Sequence, residues 1–130
     1  MSNTTLFERD MSDFIRSYIA TALWSSMDDN DEPLEDNYGK EDFSSEVLMN
    51  MYFDCYAFVR ENRTNINRPY SEAGHDFWLT RNGHGAGFWD GDWADKGDVL
   101  TKGAEKFKGV DLYVGDDGRI YSWHLRYHSL

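Results

Sequence analysis

The sequence predicts an α+β domain in which a four-stranded antiparallel sheet carries helices on one face. Three observations lead there: two long amphipathic stretches fill the N-terminal half, two Asx-Gly turn pairs punctuate aromatic runs in the C-terminal half, and a short helical pattern separates those runs. The element order is α-α-β-β-α-β-β. At 130 residues the chain fits a single domain over 1–130, long enough to bury a core without a metal or disulfide staple. Neither an internal repeat nor a linker divides it.

The first helix starts at Thr5, where TLFE is a capping box with Glu8 at the third helical position. It runs to about Trp24, with Phe7, Met11, Phe14, Ile15, Tyr18, Ile19 and Ala22 on one stripe facing a core. Glu8, Arg9, Asp13, Arg16 and Thr21 make the solvated face. From Ser25 to Asp42 the periodicity breaks, and Pro33 and Gly39 punctuate a connecting loop. Between Asp28 and Asp42 it holds eight carboxylates and one lysine. Loops this long are usually functional or disordered, and a block of like charge repels itself into an extended form.

The second helix starts near Asp42 or Ser44 and reaches about Asn62, with Val47, Leu48, Met51, Cys55, Phe58 and Val59 along one side. Met49, Phe53 and Tyr56 make a second side apolar, which predicts a central helix covered by the first helix and by a sheet. Asn65 to Arg68 reads as loop. Pro69 opens one helical turn through Ala73, which Gly74 ends.

A hairpin is then expected in HDFWLTRNGHGAGFWDGDW, His75 to Trp93, because Asn82-Gly83 suits a two-residue type I′ turn. In that register Arg81 faces His84, Leu79 faces Ala86 and Phe77 faces Phe88, giving one core surface. On the other side Thr80 lies opposite Gly85, and Trp78 lies over the bare backbone of Gly87. The glycines of GHGAG follow a turn in a strand and do not open a helix, so they make no phosphate cradle.

Asp98 caps a short third helix with Leu100, Ala104 and Phe107 buried and Gly109 just past its end, Gly103 weakening it. Finally, DLYV and RIYSW flank Gly115-Asp116-Asp117-Gly118, a second hairpin with a type I turn and a G1 bulge.

Few residues point to chemistry. Cys55, the only cysteine, sits mid-helix in an apolar run, which predicts a buried thiol in a reducing cytoplasm and neither a disulfide nor a nucleophile. Asp90, Asp92, Asp95 and Asp98 lack calcium-loop spacing, since Ala94 takes the fifth place. His124 and His128 stand four apart, but in a strand end that spacing does not bring their rings together. No zinc motif is present, so no metal or cofactor is expected. His75 and His84 flank the hairpin and could form an acid–base pair with Asp76 or Asp90, but they lack a nucleophile motif, which argues against an enzyme. A concave site holding either histidine beside a carboxylate would revive an enzyme reading. Trp78, Trp89 and Trp93 are candidates for an aromatic partner surface.

The runs AGHDFWLTRNGHGAGFWD, residues 73–90, and LYVGDDGRIY, residues 112–121, resemble a pattern in short uncharacterised proteins of tailed phages and prophages. The resemblance covers under a quarter of the chain. It implies a phage origin and carries no activity or site residue with it.

Charge narrows the function. With 24 acidic and 13 basic residues the net charge is −11, so nucleic acid is an unsuitable direct ligand and a basic protein the natural partner. No run approaches the roughly 18 apolar residues of a membrane span. MSNTTLFERD lacks the regions of a signal peptide, and the expected location is the cytoplasm of an infected bacterial host. The expected function is a phage inhibitor of a host nucleic-acid-handling defence protein, of anti-CRISPR or anti-restriction type, acting by DNA mimicry. Its partner-binding residues are Asp28, Asp29, Asp31, Glu32, Glu35, Asp36, Glu41 and Asp42. The alternative is a non-catalytic structural or regulatory phage accessory protein acting through the aromatic surface. Oligomeric state is left open.

Overall fold

The fold is given by a computed structural model, which describes residues 5–84 and 86–123. Thr5 opens α1 (Leu6–Ser25) with both halves of the capping box: its hydroxyl accepts from Glu8 N at 3.1 Å, and its own N–H donates to Glu8 Oε1 at 2.7 Å. Ser44 caps α2 (Ser45–Asn62) through Val47 N. In both helices the predicted stripe turns inward, although Phe7 and Leu48 are only partly buried.

The next element overturns the predicted first hairpin. Tyr70 to Arg81 form a third helix, α3, starting after Pro69 and running straight through Gly74. Phe77, Trp78, Leu79 and Thr80 are all buried, so both alternating sets point into protein, and a half-buried strand cannot do that. Gly74 is where α3 crosses α1, since a Cβ there would stand 2.1 Å from the Phe14 carbonyl oxygen. The glycine read as a helix stop is a crossing point. Asn82-Gly83 closes the helix and turns no hairpin: Gly83 alone has positive φ (73°), and Asn82 lies at −100°. Gly83 N donates to Thr80 O and His84 N to Leu79 O, the paired bonds of a Schellman stop.

Residues 86–93 form a loop that returns Phe88 and Trp93 to the core, while Ala86 is exposed. Gly87 lies against Thr80, not under Trp78; a Cβ there would meet Thr80 Oγ1 at 2.4 Å and so block its bond from Phe88 N. Lys96, not Asp98, stands at the N-cap of α4 (Gly97–Glu105), where Leu100 and Ala104 are buried and Phe107 partly so. Gly103 fits beside the Asn62 side chain, and the turn after the helix takes its positive φ at Lys108 (65°), not at Gly109.

The second predicted hairpin forms. Strands β1 (Leu112–Val114) and β2 (Ile120–Ser122) pair antiparallel, with Tyr113 opposite Tyr121. Gly118 has φ +80° and donates to Gly115 O, while Gly115 N donates to Arg119 O, as a type I turn with a G1 bulge requires. Buried Ile120 bridges to Phe43 at the start of α2. Among the described residues this is the only sheet, so the four-stranded sheet gives way to a mainly helical fold with a two-stranded hairpin.

The core is a single cluster centred on α3 and its neighbours. Phe77 stacks on Phe58 at 4.3 Å between ring centroids, and Phe107 meets it edge-on at 5.2 Å. The central helix is therefore α3 and not α2. Among the described residues no sheet covers the second apolar side of α2: Met49, Phe53 and Tyr56 are 68%, 66% and 48% exposed.

Candidate functional site

The acidic segment is folded. Leu34, fully buried, anchors it; Leu34 N donates to Ser26 O, and Met27 bridges to Pro33. Burial of one leucine is worth roughly 1.5–3 kcal/mol, enough to oppose part of the self-repulsion expected to extend the segment. Two of its carboxylates act inwardly. Asp28 Oδ1 accepts from Asn30 N and Glu32 N, closing a turn that carries Asp31 at φ 60°. Asp42 Oδ2 accepts from Gly39 N across the 3-10 turn Lys40–Asp42. The other six, Asp29, Asp31, Glu32, Glu35, Asp36 and Glu41, are exposed. Of these, Glu32 accepts a bond from the Asn37 amide at 3.2 Å.

The tryptophans do not form one surface. Trp78 is buried and donates to Ser25 Oγ at 2.8 Å, and Trp93 is buried and donates to Asp76 Oδ2 at 2.7 Å. Both reached the core because α3 and the 86–93 loop replaced the hairpin that would have splayed them outward. Of the three candidate tryptophans Trp89 alone, at 42% exposure, faces solvent.

Two ionisable residues are buried where the sequence reading did not expect it. Arg81, placed there in a strand facing His84, is buried in α3 and bonds to Asp54 Oδ2 at 2.8 Å, Tyr18 OH at 3.0 Å, and the Phe107 and Lys108 carbonyls at 2.7 Å each. Its guanidinium also lies over Phe77 and Phe107, 5.4 and 5.5 Å from their centroids. Asp76 is the second. With Trp93 on one oxygen, its other oxygen lies 2.9 Å from Nδ1 of half-exposed His75, whose ring stacks on Trp24. A carboxylate accepts there, so Nδ1 carries the hydrogen and Nε2 is the acceptor of the neutral ring.

His75 and Asp76 open into a concavity of about 450 Å³ that Ser17, Ser71, Glu72, Asp90 and Asp92 also line. Glu72 is paired with Arg68, whose Nε donates to it at 2.9 Å and whose pKa that bond and charge raise, with Asp92 and Asp76 adding to the effect. The helical spacing of Ser71, Glu72, His75 and Asp76 was the signal, legible only once the segment is read as helix. His84 lines a separate hollow with Ser25, Trp78 and Asp111.

No family model, curated protein or solved structure matches this chain. Among the described residues no three His, Cys, Asp or Glu gather as metal ligands, and His124 and His128 lie outside those residues. Cys55 is fully buried, and burial pushes its thiol well up, against the pull of Arg81 and with the push of Asp54. Among the described residues no helix is long and apolar enough to cross a membrane.

Proposed function

We propose that the protein is an acidic, non-catalytic binding protein of phage origin that occupies the basic nucleic-acid-binding surface of a host defence protein. The observation that carries this reading is the set of six exposed carboxylates at Asp29, Asp31, Glu32, Glu35, Asp36 and Glu41, on a segment anchored by Leu34. A fixed array of carboxylates presents negative charge without the ordering cost of a disordered tail, and a basic groove built for phosphates attracts it. The place of action in this reading is the cytoplasm of an infected bacterium.

The test is capture from host lysate at low and high salt by the natural chain and by a variant with those six residues changed to Ser, followed by competition with duplex DNA. The reading expects a basic nucleic-acid-handling protein retained by the natural chain, released by salt and by DNA, and not retained by the variant. A partner held equally by the variant refutes it.

A second reading has its own observation. His75, oriented by a buried carboxylate inside a concavity, has the base and orienter of an acid–base site. Its lining weighs against acyl or phosphoryl transfer, because Glu72, Asp76, Asp90 and Asp92 repel developing negative charge where such reactions need donors. A cationic side chain of a protein partner suits that hollow better. His75→Ala should leave partner capture intact if the acidic segment is the contact.

A further inference from the structure

A hollow bounded by α1, α2 and the Lys40–Asp42 turn is lined by two cations and no acid, although the chain carries 24 acidic residues against 13 basic ones. Ile15, Ile19 and Leu23, spaced by four residues along α1 and buried, form its apolar floor. The adjoining row of exposed Ser12, Arg16 and Ala20 forms one wall, in which small Ala20 leaves the space open. Lys40 and, from α2, Tyr52 complete the lining. The hollow measures about 350 Å³, within the range of small-molecule sites, and its lining extends ~17 Å from Ser12 to Leu23 at 1.5 Å per residue.

We infer that this hollow binds a small organic monoanion with an extended apolar body, an aliphatic carboxylate being the simplest member of the class. The charge match rests on Lys40, the one lysine of the acidic segment. Among the described residues it pairs with no carboxylate. Its ammonium lies 5.5 Å from the centre of the Tyr52 ring, a contact that leaves its charge unneutralised and its N–H groups free to donate to an oxygen. Arg16 adds less, because it is shared with Asp13 at 3.7 Å and Ser12 at 3.4 Å on the open surface. The apolar floor supplies the rest of the recognition and makes an inorganic anion a poor occupant. A net charge of −11 restricts the ligand to one negative charge, since the field of the chain repels a polyphosphate more strongly than a single carboxylate. None of the six exposed carboxylates lines the hollow, so the inference stands apart from the proposed host partner.

Titration of the full chain with hexanoate, followed by NMR at the amides of Ala20, Lys40 and Tyr52, should saturate with a Kd on the order of 1 mM or below. Hexanol, which has the same carbon chain and no charge, should bind there about five- to tenfold more weakly, and hexyltrimethylammonium more weakly still. Lys40→Gln should weaken hexanoate binding about five- to tenfold and leave hexanol binding unchanged, a difference that a merely structural role would not produce. Ala20→Trp fills the hollow and should abolish binding of all three, with unchanged helix content by circular dichroism because the position is exposed. No saturation by about 10 mM hexanoate, hexanol bound as tightly as hexanoate, or hexanoate binding indifferent to Lys40→Gln or to Ala20→Trp overturns the site.

Discussion

Charge is handled in opposite ways by α3 and by the segment from Asp28 to Asp42. In α3, Asp76 and Arg81 are buried: Asp76 is held by Trp93 and its neighbour His75, and Arg81 is bonded to Tyr18, Asp54 and the Phe107 and Lys108 carbonyls. In the acidic segment six of eight carboxylates face solvent, and the remaining two cap turns within five residues of themselves. A buried charge cannot be altered without disturbing the fold, because its removal strands the partners. Exposed charges can be altered with little effect on the fold. The proposed function therefore predicts loss of binding without loss of stability in the acidic segment, and loss of stability in α3.

The comparison is most exposed at Arg81. Arg81→Met leaves Asp54 and two carbonyls without their donors and should destabilise by about 3–5 kcal/mol, read as a lowered denaturant midpoint. A loss below about 1 kcal/mol would mean the network is not what holds α3 to α2 and the 106–108 turn. Next comes Gly74→Ala, which sets a methyl group against the Phe14 carbonyl and forces α1 from α3, at a cost of up to about 3 kcal/mol. Thr80→Val removes the acceptor of the buried Phe88 N–H and should cost about 1–3 kcal/mol, loosening the 86–93 loop first in hydrogen exchange.

Cys55 gives a chemical version of the same contrast. Its thiol is raised by burial and stays protonated through neutral pH, so a thiol reagent should react only on unfolding; rapid reaction of the native protein would contradict the packing of α2 on α3. At the small end, each exposed acid changed to Ser should move stability by no more than about 0.5 kcal/mol.

How much of this was legible in the sequence follows the range of the forces involved. The cap at Thr5 and the turn at Asp117-Gly118 are settled within four residues and form where the sequence puts them, and Ser44 is one of the two starts it allows for α2. At Asn82-Gly83 the same local chemistry misled, because an Asx-Gly pair suits a helix stop as well as a hairpin. What decided between them was distant: Gly74 against Phe14, Trp78 against Ser25, and Arg81 against Tyr18 and Asp54. That one error carried Trp78 and Trp93 to a surface they do not occupy. The acidic segment was visible as composition; its anchoring through Leu34 was not, since a single leucine in a charged run gives no periodicity.

The central claim is that the exposed carboxylates bind a partner and do not hold the fold. Thermal or denaturant unfolding of the variant with Asp29, Asp31, Glu32, Glu35, Asp36 and Glu41 changed to Ser, measured beside its salt-dependent capture of the host protein, tests both halves at once. The account predicts a midpoint at or above that of the natural chain, because self-repulsion is relieved, together with loss of capture. A variant that unfolds more readily, or one that still captures the same protein, contradicts it.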